Sequence, residues 1–185
     1  MTRDIALIGK AGSGKDTVGE LLVQHAGYKR LAFADPVREM ALVLDPIVVL
    51  ADELGFGETY ARLSEVVAAD GWDRAKRMYP EVRRILQNAG MAQREVDSFY
   101  WLDLLLEKWS TEWSPVVVTD CRFENEAVAL RNLGFLLVRV IRPGAGANDH
   151  VSETELDDFT VYRTIYNDGT VEDLREAVRD LRATL

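Results

Sequence analysis

One cysteine in 185 residues, Cys121, excludes an internal disulfide and a cysteine-only zinc site, and it fits a reducing compartment. No apolar run approaches the roughly 20 residues needed to span a bilayer. The short apolar stretch behind Arg3 and Asp4 is too brief for a signal peptide, so a cytoplasmic protein with no membrane partner is expected. Positive charge is scarce as well: 22 basic residues stand against 31 acidic ones, a formal charge of -9. That balance argues against a protein that coats a nucleic acid polymer or an anionic membrane. Any phosphate must therefore be held by a local arrangement of groups. What is present is ordinary for a soluble globule, with 48% hydrophobic and 29% charged residues. The length suits one domain over residues 1–185, burying roughly 70% of the surface of the unfolded chain.

Strand and helix signals alternate along the chain. Ile5-Ala6-Leu7-Ile8 is a continuous apolar run closed by glycine, as in a strand buried on both faces. Val18, Leu21 and Leu22 follow at helical spacing, and Gly27 ends that helix. Further strands are expected at Leu31–Phe33, Pro115–Asp120, Phe135–Ile141 and Tyr162–Tyr166, with helices over Asn125–Leu133 and after Gly169. Alternation of this kind predicts parallel strands joined by right-handed crossovers, a three-layer α/β domain with a parallel five-stranded sheet. From about residue 36 to 113 the pattern is mainly helical, broken near Gly55–Gly57, Gly71 and Pro80, and reads as an insertion on that sheet.

The segment Gly9 to Thr17 has the spacing of a P-loop: a glycine, four residues, then Gly-Lys. Its glycines allow tight backbone conformations in which successive N–H groups point at phosphate oxygens. The helix behind it presents a positive N-terminal end to the same anion. The candidate nucleotide-binding residues are Lys10, Ala11, Gly12, Ser13, Gly14, Lys15, Asp16 and Thr17, with Lys15 reaching the terminal phosphates. The usual Ser/Thr after the lysine is replaced by Asp16, with Thr17 one place later. Either can hold Mg²⁺, directly or through water, or Asp16 can simply cap the helix. Asp120 ends an apolar strand, where a second metal-positioning acid belongs. Arg122 follows at the carboxyl edge, where ligands of open α/β sheets bind.

Four stretches resemble the phage-type deoxynucleoside monophosphate kinases of the P-loop superfamily. They are Gly9–Thr17 with its Gly-Lys-Asp-Thr ending; Phe33-Ala34-Asp35-Pro36; Thr119 to Glu126 with its Asp-x-Arg-Phe-x-Asn-Glu order; and His150-Val151-Ser152-Glu153 followed by Asn167 to Thr170. The resemblance implies a P-loop kinase fold and ATP-dependent phosphorylation of a deoxynucleoside monophosphate, with Mg²⁺ bridging the donor phosphates, in the cytoplasm of a host cell if the gene is a phage's. It also implies arginines on the moving charge, here Arg122 and Arg142, and a lid over about residues 142–160. The partners are small molecules; a homodimer is an allowed state. Near alternatives are a kinase for another phosphate acceptor, of the dephospho-coenzyme A or phosphomevalonate type, or an ATP-binding switch.

The acceptor site is expected on the helix after Pro80. At about 100° per residue, Val82, Ile85, Leu86, Ala89, Ala92 and Val96 share one face, expected to be buried. Arg83, Gln87, Gly90 and Arg94 fall within an arc of about 60° on its flank. They offer two guanidinium groups for a phosphate, an amide for a base edge and a glycine at which a ligand can approach. Asp35 and Arg38 are the next position for the same site. Trp101, from an amphipathic set with Trp109 and Trp113, is a candidate for base contact, and His150 for the border of the site. Ser152 and Glu155 fit a helix N-terminal box, and no nucleophile-elbow sequence surrounds the serine. His25 reads as an end-of-helix residue and Cys121 as a small buried neighbour.

Overall fold

Buried on both faces, Ile5–Ile8 forms the central strand of the molecule, β1. A computed structural model describes residues 3–50, 59–146 and 154–184. The chain forms two compact units, residues 1–33 with 102–185 and residues 34–101.

In the first unit, α1 (Lys15–Ala26) and β2 (Lys29–Leu31) follow β1. After residue 101 come β5 (Val116–Val118), α6 (Glu124–Asn132), β6 (Leu136–Ile141), β7 (Arg163–Tyr166) and α7 (Val171–Ala183). The five strands are parallel, in the order β2-β5-β1-β6-β7. Ile5, Leu7, Val117, Val138, Val140 and Ile165 point to one side, where Val18, Leu21 and Leu22 of α1 and Leu174, Val178 and Leu181 of α7 cover them. Ala6, Ile8, Val116, Val118 and Leu137 are just as buried on the other side. Since neighbouring strand residues point to opposite faces, both faces are covered and the three-layer expectation holds. Each fully buried aliphatic chain here contributes on the order of 2 kcal/mol. Gly27, at φ 69°, stops α1 as its sequence position predicts.

The second unit holds α2 (Ala34–Leu44), β3 (Ile47–Leu50), β4 (Thr59–Arg62), α3 (Leu63–Met78), α4 (Pro80–Val96) and the first two residues of α5 (Tyr100–Ser110). The antiparallel pair β3–β4 adds two strands to a region read as mainly helical. A four-residue apolar run, Ile47 to Leu50, does not by itself distinguish strand from helix, and only its pairing with β4 decides. Asp45 ends α2, and its carboxylate accepts from the backbone N–H (2.8 Å) and hydroxyl (3.1 Å) of Ser64 at the start of α3. Gly71 breaks α3 and Pro80 opens α4, both as expected. On α4, Val82, Ile85 and Leu86 join a core with Ala41, Val48, Leu63, Val66 and Ala75. Ala92 and Val96 are exposed, so the expected buried face covers only the first half of the helix. Trp113 lies beyond α5 and is fully exposed, which removes it from the expected core set. No helix among the described residues is long and apolar enough to cross a membrane.

Candidate phosphate-binding site

The turn between β1 and α1 is shaped by what its glycines must avoid. Gly9 has φ 139°, and a Cβ there would sit 2.3 Å from the Val140 carbonyl oxygen. Gly14, at φ 103°, forms the N-cap of α1, and a Cβ on it would meet Asn167 Nδ2 at 2.4 Å. Both positions combine a left-handed backbone with a filled neighbourhood, so only glycine fits. Within the turn the Ser13 amide donates to the Lys10 carbonyl at 3.1 Å. Ser13 Oγ is buried and has no hydrogen-bond partner among the described residues. A buried, unpaired hydroxyl costs free energy unless a ligand engages it.

Lys15, at the first position of α1, is 6% exposed, and its Nζ donates to the carbonyls of Gly9 and Lys10, the latter at 2.8 Å. A buried ammonium needs such partners, and these belong to the loop itself. Asp16 is exposed in the first turn of α1 and Thr17 is half-buried. Ala6 pairs with Val118, so two residues further on Asp120 stands beside Ile8, just ahead of Gly9. Its Oδ1 accepts from the Phe33 amide at 2.8 Å. Next to it, Thr119 Oγ1 is a second buried hydroxyl with no partner among the described residues. These residues form no group of three metal-ligating side chains. A hard cation bound by Asp16 or Thr17 and Asp120 would thus complete its shell with phosphate oxygens and water, as Mg²⁺ habitually does.

Arg122 is half-buried beyond β5. Its amide donates to Glu126 Oε2 at 2.9 Å, and the Phe123 amide donates to the same oxygen at 3.2 Å. Glu126 is only 2% exposed, in the first turn of α6 where its charge meets the positive helix end. Sequence reasoning quoted Glu126 within a motif but missed this anchoring role; an acid three places into a helix was the available signal. Arg142 is exposed just after β6 and opens a turn closed by the Ala145 amide. Residues 154–159 are tied down by Arg139, which donates to the carbonyls of Leu156, Asp157 and Phe159 at 2.6–2.7 Å. Asp157 pairs with Lys10 at 3.3 Å. Glu155 Oε1 accepts from the Glu124 amide at 2.7 Å and so caps α6, while the box expected between Glu155 and Ser152 lies outside the described residues. Ser152 and His150 lie outside the described residues.

Of the candidate acceptor residues, Asp35, Arg38, Arg83, Gln87, Arg94 and Trp101 belong to the second unit. Asp35 and Arg38 are 3.3 Å apart, and the Arg38 guanidinium lies 5.8 Å from the centre of the Trp72 ring. Lys76, through a hydrogen bond and its charge, is the main cause holding the Asp73 carboxyl below the usual range, with Arg38 adding a smaller effect. On α4, Arg83 is exposed, Gln87 and Arg94 are half-buried, and Arg94 reaches the Ser98 carbonyl at 3.4 Å. A Cβ on Gly90 would be in ordinary contact with Val37, at 3.9 Å. Trp101 is 2% exposed and its Nε1 donates to the Gly90 carbonyl at 3.0 Å. That ring is a core residue with its one polar atom engaged, which leaves no edge to offer a base. His25 is exposed in the last turn of α1, and Cys121 is buried, as expected.

Known proteins resemble this chain in sequence. Residues 57–178, about two thirds of it, match the family described as deoxynucleotide monophosphate kinase. A putative deoxynucleotide monophosphate kinase of Acanthamoeba polyphaga mimivirus is 28% identical over 183 residues, covering 91% of this chain and 90% of its own length. The deoxynucleotide monophosphate kinase of Enterobacteria phage T4 is 31% identical over 106 residues, which is 54% of this chain and 44% of the phage protein. Among solved structures, a gluconokinase from Sinorhizobium meliloti 1021 aligns with 99% of this chain and 95% of its own at 18% identity, with a TM-score of 0.46.

Proposed function

The chain belongs to the deoxynucleotide monophosphate kinase family and is a nucleotide kinase, and from that premise we propose that it transfers the γ-phosphoryl group of ATP to a deoxynucleoside monophosphate, yielding a diphosphate. One observation carries this reading: a glycine-built turn at the carboxyl edge of a buried parallel sheet holds an ammonium against its own carbonyls and leaves Ser13 Oγ without a partner among the described residues. Such a turn fits the β- and γ-phosphates. Lys15 exchanges the carbonyls of Gly9 and Lys10 for phosphate oxygens, while the N-terminus of α1 adds its dipole. An oxygen of the acceptor phosphate forms a bond to the γ-phosphorus as the bond to the ADP oxygen breaks, with no covalent enzyme intermediate. Arg122, oriented by the Glu126 anchor of its backbone, and Arg142 balance the charge on the moving group. Asp16 or Thr17, with Asp120, would hold Mg²⁺, which neutralises donor-phosphate charge when bound. Arg83, Gln87 and Arg94, with Asp35 and Arg38, bind the acceptor.

The test incubates the protein with ATP and Mg²⁺ against a panel of deoxynucleoside monophosphates, with dephospho-coenzyme A and phosphomevalonate as competing acceptors. Diphosphate formed from at least one deoxynucleotide is the expected result. Phosphorylation of only a non-nucleotide acceptor, or ATP hydrolysis alone, overturns the proposal.

A further inference from the structure

Asn167 lies just past β7, far in sequence from the phosphate loop, and the function proposed above gives it no role. Its side-chain Nδ2 donates to the Ser13 carbonyl at 2.9 Å. Its own amide donates to the Ile141 carbonyl at 2.7 Å, which fixes its backbone to the end of β6. The loop behind it is held in turn by the Thr170–Asp173 pair that caps α7. Those bonds, first from the Thr170 hydroxyl and then from its amide, keep the Asp173 carboxyl below the usual range. Gly14 leaves just enough room for this contact, since any Cβ there would strike Nδ2.

We propose that Asn167 is a positioning residue for nucleotide binding, which sets the direction of the Gly14 N–H by gripping the Ser13 carbonyl. The Ser13–Gly14 peptide is trans, so its carbonyl and N–H point opposite ways across one rigid plane. Holding the carbonyl toward β7 therefore turns the N–H away from it. Freed of that grip, the plane can rotate, because glycine tolerates either orientation. A carbonyl only accepts, so the asparagine amide must present its nitrogen here; an aspartate of the same shape would present an oxygen and repel it. The ligand is the polyphosphate chain of a nucleotide, and the inference rests on the phosphate-loop reading.

Calorimetric titration of wild type, Asn167→Asp and Asn167→Ala with two probes, ADP and inorganic tripolyphosphate, tests it. The expected result is a loss of affinity of about tenfold for both probes in Asn167→Asp, the scale of one hydrogen bond replaced by repulsion. Asn167→Ala should lose less, and the melting temperatures should stay within a few degrees. In amide spectra the Gly14 N–H should shift on adding tripolyphosphate to wild type and not to Asn167→Asp. Because tripolyphosphate has no base, weakened ADP with unchanged tripolyphosphate would make Asn167 a base contact and overturn the proposal. Unchanged affinity for both probes overturns it as well and leaves the phosphate-loop reading standing. Wild type that binds neither probe defeats that reading itself. Should Asn167→Asp not fold, the Asn167→Ala titration decides by the same criteria.

Discussion

The phosphate loop and the polar flank of α4 are two candidate phosphate sites built in opposite ways. The loop works with backbone: it sits on strands buried on both faces, its glycines are fixed by the Val140 carbonyl and by Asn167, and its lysine is buried. The flank works with long side chains: Arg83 is exposed, Arg94 is half-buried, and the end of α4 outruns the core beneath it. Preorganised backbone groups cost little to hold in place when charge develops. Flexible arginines lose rotamer freedom when they grip a ligand. The first design suits groups that act on the transferred phosphoryl, and the second suits binding of a substrate.

Lys15→Ala should break this contrast most severely. Turnover should fall by roughly two to three orders of magnitude, the scale of removing one preorganised charge-stabilising group. Its melting temperature should move by only a few degrees, because the bonds lost run to the loop's own carbonyls. Near-normal turnover in folded protein would show that the loop does not act as described.

Glu126→Ala sharpens the same side. Two amides, those of Arg122 and Phe123, lose a buried charged acceptor, so unfolding by denaturant should show a loss of about 2–4 kcal/mol. Turnover should fall with it, because the backbone that carries Arg122 loses its anchor. A loss below about 1 kcal/mol would mean that water replaces the carboxylate there.

On the α4 flank, Arg83→Ala should raise the Michaelis constant for the monophosphate about tenfold, the worth of one charge-assisted bond, with that for ATP unchanged. Equal effects on both substrates, or none, would shift the acceptor site toward Asp35 and Arg38.

The smallest effect concerns pH. Burial first, then the charge of Asp4, pushes the Tyr28 hydroxyl up to about 12, and that hydroxyl donates to the Arg3 carbonyl at 2.9 Å. Above pH 10 the unfolded chain sheds this proton while the folded chain keeps it, so stability should decline between pH 10 and 12. In Tyr28→Phe that decline should be shallower, as followed by thermal melts across the range.

How far each region could be read from sequence follows from the same contrast. The loop was legible because glycine spacing and a Gly-Lys pair state a backbone geometry directly, and the apolar runs at Ile5–Ile8 and Val116–Val118 announce buried strands. Around Asp45 the signal failed: Ile47 to Leu50 carries no period of its own, and its partner strand lies nine residues further on. The reading of α4 was half right. Its periodicity gave the correct face, yet periodicity says nothing about where the neighbouring core ends, which is why Val96 is exposed.

By itself, the sequence determined which backbone conformations were available: glycines where left-handed turns are needed, β-branched runs for strands, and one lysine at the start of the first helix. Tertiary structure alone decided which groups meet. Asn167 reaches Ser13 across 154 residues, Glu155 caps α6 from 31 residues away, and Trp101 is spent on the Gly90 carbonyl. Local steric preference is written residue by residue, whereas a hydrogen bond between distant segments exists only once the sheet has brought its strand ends together.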